Sequence, residues 1–295
     1  MRMAIIYGEV STTHQLMIER AEDIFDSVLA TPISGVKFIH GEEGSKVFYK
    51  GTDLTEFDAV YIRTADEDMH FSEHLSEALN EAGAVTQADN DTYAYESNKF
   101  YSMKILAENG VSVPDSVYTL SPEKAVEAAK ELGYPVIMKT VKGGGGEGVM
   151  RASSEKELKP VMDTMKSFEQ EICLQEYMDH DGTDTRAIQI GEFLAAYSRT
   201  SSGEDWRSNI SGGGERKDSE LTEEMEETTR KAAAAVGFDI CGCDIIKPEN
   251  PQVLEVNGSF GFNEDINELL GEDIILKIVE RLHQRAMEKQ VDKED

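Results

Sequence analysis

The segment from Cys241 to Asn257 constrains this chain most. Asp244 lies in one short apolar run, and Glu255 and Asn257 lie in a second. The turn Lys247-Pro248-Glu249-Asn250-Pro251 separates the two runs. Folding about residues 249 and 250 makes a hairpin that sets Asp244 opposite Glu255. Glu255 and Asn257 are two apart, so their side chains share a face of the strand. Two carboxylates at about 4 Å repel by roughly 4 kcal/mol at an effective dielectric of 20. Beside the apolar Val253, Leu254 and Val256, such a pair needs a reason. Hard oxygen ligands, few in number, suit Mg²⁺ that keeps waters and bridges substrate phosphates. The competing reading is an acidic hairpin in a very acidic protein.

That acidity bounds the function classes. The chain has 295 residues, 58 acidic against 29 basic, for a net charge of −29. A broad basic face for nucleic acid is excluded, although a nucleotide can still bind where a few Lys and Arg converge with backbone amides. The acids are spread over nearly every helical segment. This fits a high-salt cytoplasm, where screening weakens self-repulsion, or an ordinarily acidic cytosolic protein. No apolar run is long enough to span a bilayer. The first residues, Met1-Arg2-Met3-Ala4-Ile5-Ile6-Tyr7, read as a buried strand rather than a signal peptide, so a cytoplasmic location is expected. Cys173, Cys241 and Cys243 make no disulfide framework and no C-x-x-C pair; Cys241 and Cys243 share a strand face and read as core.

The periodicity predicts three units. Residues 1–95 alternate strand and helix, with strands at 4–7 and 59–63 and helices near 16–29 and 71–82, a β/α layer of the doubly wound kind. Residues 96–180 hold helices at 97–109, 123–132 and 155–166, and strands at 136–141, 149–152 and 172–177. Residues 181–295 are richer in strand: 185–190, 192–200, 239–246 and 252–257. Helices flank these at 222–236 and 273–287, and the charged tail 288–295 is expected to fray. The fold class is therefore α/β followed by α+β. His70 and His74, four apart on a helix, lack a third ligand and read as a solvated face.

Between the strands at 136–141 and 149–152 lies Gly143-Gly144-Gly145-Gly146-Glu147-Gly148. It matches G-x-G-x-x-G, but between two strands rather than between strand and helix, so a dinucleotide site is not supported. A phosphate-covering flap with Lys139 on the incoming strand is one reading, and a long surface turn is the other. The segment Leu174-Gln175-Glu176-Tyr177-Met178, with Asp184 and Arg186 beyond it, can offer backbone groups to an adenine edge and carboxylates to a ribose. Arg207 and Asn209, beside Gly212-Gly213-Gly214, can stabilise anionic oxygens or simply be solvated.

In order, Lys139, the glycine loop, Glu176-Tyr177, Asp184-x-Arg186, Arg199, Arg207-Ser208-Asn209-x-x-Gly-Gly, Asp244 and Glu255-x-Asn257 resemble ATP-grasp ligases. The likeness is greatest to the RimK-like branch, which adds amino acids to a carboxylate on a protein tail or small molecule. Residues 57–63 resemble that branch's strand with a terminal arginine, and Ser97-Asn98-Lys99 resembles the start of its nucleotide domain.

The resemblance implies an ATP-grasp fold behind an N-terminal pre-ATP-grasp domain. Lys99 and Lys139 would hold ATP phosphates, Glu176, Tyr177 and Met178 would lie at the adenine hinge, and Asp184 nearby. Arg207 and Asn209 would contact the transferred phosphate. Asp244, Glu255 and Asn257 would bind two Mg²⁺, for which Mn²⁺ can stand in. An acylphosphate would form and be attacked by the amine of an amino acid, and the enzyme would be a homo-oligomer. Arg63 and Arg199 would grip substrate carboxylates or form ordinary ion pairs. Where many relatives carry Ser-Pro-Gly after the metal asparagine, this chain has Gly258-Ser259-Phe260-Gly261-Phe262, so Phe260 and Phe262 are expected to reshape the amine pocket. A dipeptide- or glutathione-synthetase-like ligase and a non-catalytic ATP-binding regulator are the alternative functions.

Overall fold

A computed structural model of the protein describes residues 1–9, 11–42, 44–63, 68–88, 92–140, 148–168, 170–201, 215–247 and 249–294. The first unit carries β1 (Arg2–Tyr7), α1 (Thr12–Glu22), β2 (Ser27–Pro32), β3 (Val36–Gly41), β4 (Gly44–Tyr49), β5 (Thr52–Asp53), β6 (Ala59–Arg63) and α2 (Met69–Ala82). Its parallel sheet runs β2-β1-β6. Strand alternation splits β1 and β6 between two cores. Ala4, Ile6, Val60 and Ile62 pack under Leu75 and Leu79 of α2. Met3, Ile5, Ala59 and Tyr61 face Met17 and Ala21 of α1 on the other side. Helices on both faces of a parallel sheet are the doubly wound pattern that the sequence predicts.

One local expectation fails here, and one element is new. The helix expected over residues 16–29 stops at Glu22, and residues 27–32 form β2. Parallel pairing of Ser27–Pro32 with Arg2–Tyr7 overrides the helical spacing of Phe25 and Leu29. The antiparallel β3-β4-β5 ribbon is an addition to the sequence reading.

The second unit follows α3 (Thr92–Glu96) and α4 (Lys99–Glu108). It contains β7 (Ser116–Thr119), α5 (Pro122–Leu132), β8 (Val136–Lys139), β9 (Val149–Ala152), α6 (Glu155–Ser167) and β10 (Ile172–Glu176). Its antiparallel sheet runs β7-β10-β8-β9, with α5 and α6 packed on one face through Ala125, Ala129, Leu158 and Met162. Ser121 caps α5 by accepting the Lys124 N–H, and Pro122 opens the first turn.

The third unit has β11 (Thr183–Ile190), β12 (Phe193–Thr200), β13 (Glu215–Asp218), α7 (Glu223–Val236), β14 (Ile240–Ile246), β15 (Gln252–Asn257), α8 (Glu264–Leu270) and α9 (Ile274–Glu294). Its five strands run β13-β12-β11-β14-β15, all antiparallel. One face of this sheet, with Ala187, Cys241, Cys243, Ile245, Val253 and Val256, is covered by α4 and α7. Cys241 and Cys243 are thus core residues, as their spacing predicts.

The tail expected to fray is helical to Glu294. It docks on the first unit: Arg285 Nη1 donates to the Thr86 carbonyl at 2.8 Å and Gln290 Nε2 to Asp58 Oδ1 at 2.9 Å. Those contacts supply the ordering energy that a solvated terminal turn lacks. Among the described residues no helix is long and apolar enough to cross a membrane.

Candidate active site

The β14–β15 hairpin pairs Asp244 with Glu255 and Gly242 with Asn257. The register shifts immediately after Asp244, so Ile245 faces Val253 and Leu254 is the extra residue of a bulge. In a regular strand Val253 and Glu255 would share a face. The bulge separates them: Val253 goes into the core while Glu255 goes to the opposite face with Asn257. This is how a carboxylate is seated two residues from a fully buried valine.

On that same face β11 contributes Asp184 and Arg186, and β12 contributes Arg199. Asp184 stands opposite Arg199, and Arg186 opposite Asp244. Asp244 is 0% exposed. Arg186 forks onto it, with Nε on Oδ1 and Nη2 at 3.0 Å from Oδ2. Arg199 Nη2 reaches Oδ1 at 2.9 Å. Arg199 also holds both Asp184 oxygens, at 2.7 and 2.6 Å. Burial alone would raise the Asp244 carboxyl; Arg186 and Arg199 overcome that and hold it below its ordinary value. Burial likewise opposes the charge on Arg199, yet Asp244 and Asp184 keep its pKa raised.

Arg186 needs room to reach Asp244, and Gly242 supplies it. A Cβ on Gly242 would lie 2.8 Å from Phe260 Cβ and 2.9 Å from Arg186 Cδ.

Lys99 opens α4, behind an Asn98 cap that accepts the Tyr101 N–H. Its ammonium is 3.6 Å from Glu255 Oε1. Lys139 ends β8, opposite Cys173 on β10 and Val149 on β9. Desolvation lowers the Lys139 pKa, and Glu255 is the largest effect opposing it. Lys99 of α4, Lys139 of the second unit and the acidic hairpin of the third therefore share one electrostatic neighbourhood.

The base of the glycine run is closed by Thr140 N–H donating to the Gly148 carbonyl at 3.0 Å. Gly143, Gly144, Gly145 and Gly146, together with Arg207 and Asn209, lie outside the described residues. At the end of β10, Glu176 donates its N–H to the Asp115 carbonyl, and the Tyr177 ring lies 4.3 Å under the Arg151 guanidinium. Met178 follows, half-buried. Asp184 sits in the arginine network, held by Arg199.

The oxygen donors fit magnesium as a guest that brings its own ligands. Asp244, Glu255 and Asn257 lie on one face of one hairpin. Among the described residues no group of three or more His, Cys, Asp and Glu side chains could hold a metal. Two carboxylates and an amide suit Mg²⁺ that takes water and nucleotide phosphates for its remaining positions.

Phe260 and Phe262 correct an expectation. They are 1% and 2% exposed and belong to the core between the first and third units, so neither lines an open pocket. The Phe262 ring instead carries Arg63, whose guanidinium carbon is 4.7 Å from the ring centroid. Sequence reasoning gave Arg186 no role of its own and passed over His14. The signal for Arg186 was available, since it is two residues from Asp184 on one strand; nothing local pointed to His14. His70 and His74 are exposed with rings 4.8 Å apart, as expected of a solvated face.

A family model for the RimK-like ATP-grasp domain matches residues 96–282. A probable alpha-L-glutamate ligase of Enterobacter sp. is 32% identical over 254 residues, covering 82% of each chain. The ribosomal protein bS6–L-glutamate ligase of Escherichia fergusonii is 30% identical over 246 residues, again covering 82% of each. Among solved structures, the ATP-grasp ligase PsnB complexed with minimal precursor, Mg and ADP superposes with a TM-score of 0.74 at 20% identity, over 96% of this chain and 97% of that one. The chain belongs to the RimK-like ATP-grasp family and is an ATP-dependent carboxylate–amine ligase.

Proposed function

We propose that this ligase activates a carboxylate of a protein tail, peptide or small molecule as an acylphosphate, and that an amino acid then attacks it through its amine. The observation that carries this reading is the placement of Asp244, Glu255 and Asn257 on one hairpin face, with Lys99 and Lys139 in electrostatic contact with Glu255. Lys99 and Lys139 take the nucleotide phosphates. Asp244, Glu255 and Asn257 take two Mg²⁺ ions or Mn²⁺ in their place, and the metal supplies charge neutralisation on the γ-phosphoryl. Glu176, Tyr177 and Met178 form the adenine hinge. Gly143, Gly144, Gly145 and Gly146 close over the phosphates, and Arg207 and Asn209 contact the transferred group.

Arg186 and Arg199 hold the Asp244 carboxylate ionised and oriented before metal arrives, and Asp184 fixes Arg199. Relatives bearing glutamate ligase names make L-glutamate the first amine to try and a protein or peptide carboxylate the first acceptor. The excess of acids favours a cytoplasm of high salt.

The test is ADP and phosphate release from ATP and Mg²⁺, with a panel of amino acids crossed against peptide and small carboxylates. Release that needs both partners supports the reading. Tight ATP binding with no turnover across the panel, at low and high KCl, would point instead to a regulator.

A further inference from the structure

Glu96 ends α3, and Lys99 opens α4 three residues on. The joint between these helices meets the end of β15 twice. Lys99 lies 3.6 Å from Glu255 Oε1. Glu96 Oε1 accepts the Gly258 N–H at 2.8 Å, across 162 residues of chain. Gly258 directly follows Asn257, the amide of the acidic hairpin. The peptide unit that Glu96 holds is therefore the one that carries the backbone out of Asn257. A planar peptide held at its N–H cannot turn, so the direction in which the Asn257 side chain leaves the strand is fixed with it.

β15 needs an anchor at this point because its ladder stops there. Asn257 faces Gly242 in register and is the last residue of the strand. Gly258 is buried, so its N–H must find a partner outside the sheet. Any acceptor could serve; a carboxylate makes a charge-assisted bond about twice as strong as a neutral one.

The seat is shaped for this contact. A Cβ on Gly258 would lie 2.5 Å from Phe238 Cζ. Tyr93, one turn before Glu96 on α3, meets the same Phe238 ring edge-on at 6.3 Å. One face of α3 thus takes both the ring that blocks a side chain at 258 and the N–H of 258. The helix is itself tied to the first unit through Gln87, which is fully buried. Gln87 Nε2 donates to the Tyr93 hydroxyl at 2.8 Å, and its Oε1 accepts the Ile62 N–H of β6 at 3.1 Å. A run of buried contacts therefore leads from the parallel sheet through α3 to the last residue of the hairpin.

We propose that Glu96 is a positioning residue for divalent metal: by holding the Gly258 N–H it sets the direction of the Asn257 amide, and so the affinity of the hairpin for the ion. The proposal deepens the ligase reading and rests on its metal assignment. Glu96 acts through Asn257 and contacts neither metal nor nucleotide.

The experiment titrates Mn²⁺ into the full chain with ADP present and follows free Mn²⁺ by electron paramagnetic resonance, so that no turnover is needed. Glu96→Ala should weaken Mn²⁺ binding by about tenfold or more, the scale on which residues behind a metal ligand act. Affinity for ADP at saturating Mn²⁺ should stay within about twofold, because no contact to nucleotide is lost. Glu96→Gln keeps an oxygen for the Gly258 N–H and should bind Mn²⁺ within about threefold of wild type. Glu96→Asp withdraws the oxygen by one methylene and should behave as Glu96→Ala does; it decides the matter if the alanine variant does not fold. A role in folding alone predicts a lower melting temperature with unchanged Mn²⁺ binding by the folded protein, and that result overturns the proposal.

Asn257→Ala separates this from failure of the metal assignment. Weakened Mn²⁺ binding there, alongside wild-type binding in Glu96→Ala and Glu96→Asp, overturns the proposal and leaves the ligase reading standing. Unchanged binding in Asn257→Ala removes the metal assignment itself, and the role of Glu96 with it.

Discussion

Arg199 reaches past the whole of β11 to place Nη2 2.9 Å from Asp244 Oδ1, while the same nitrogen lies 2.6 Å from Asp184 Oδ2. A single guanidinium therefore ties two buried carboxylates from two strands. Arg199→Met removes that fork from both. Breaking a buried pair by deleting one partner costs about 3–5 kcal/mol, because a desolvated charge is left behind. Urea unfolding should show a loss of that order. The double variant Asp184→Asn/Arg199→Met should recover part of it, and strict additivity would show that the two residues are not coupled.

Gly242→Ala tests the packing that lets Arg186 reach Asp244. The new methyl would meet Phe260 Cβ at 2.8 Å and Arg186 Cδ at 2.9 Å. Overpacking of this kind costs about 1–3 kcal/mol. Thermal melting should drop accordingly, and ATP turnover should fall with it as Arg186 is displaced. A melting point equal to wild type would mean that the hairpin and Phe260 yield freely.

The pH dependence of stability should carry the mark of His14. Its folded pKa is about 4 against 6.5 for the free side chain, with burial the larger cause and Arg63 the lesser. Between those values the unfolded chain binds a proton that the folded chain refuses, so stability falls as pH drops through this window and is fully restored above it. His14→Asn should flatten the slope of melting temperature between pH 4 and 6.5 relative to wild type. Parallel slopes would remove the buried, neutral assignment.

The net charge of −29 predicts that melting temperature rises with KCl. The screening length shortens from about 10 Å at 0.1 M to about 3 Å at 1 M, which relieves self-repulsion among exposed acids. A flat response between these concentrations would remove the high-salt reading of the composition.

The hairpin was legible in the sequence because its signal is local. A turn rich in proline sits between strands of alternating character, and the Asp244–Glu255 pairing follows from symmetry about residues 249 and 250. The bulge at Leu254 was not legible, since only the packing of Val253 against α4 and α7 decides it. Lys139 is legible from its place on the strand before the glycine run and Lys99 only by resemblance; the structure brings both toward Glu255 from different elements. Phe260 and Phe262 were misread as pocket walls because a loop aromatic looks alike in sequence whether it faces solvent or a core contributed by α1 and α9. The docked end of α9 was missed for the same reason. Its partners, Thr86 and Asp58, lie some two hundred residues away in the chain.

The central claim is that the hairpin carboxylates gather metal against the nucleotide phosphates, and Glu255→Gln tests it most directly. Glu255 is part-exposed and Lys99 lies 3.6 Å from it, so the amide should fold with nearly unchanged melting temperature. ADP release with saturating Mg·ATP, amine and carboxylate should fall by about 10²–10³, the scale of losing one electrostatic stabiliser of the transition state. A Glu255→Gln enzyme turning over within about threefold of wild type at equal magnesium would contradict the metal assignment and the chemistry built on it.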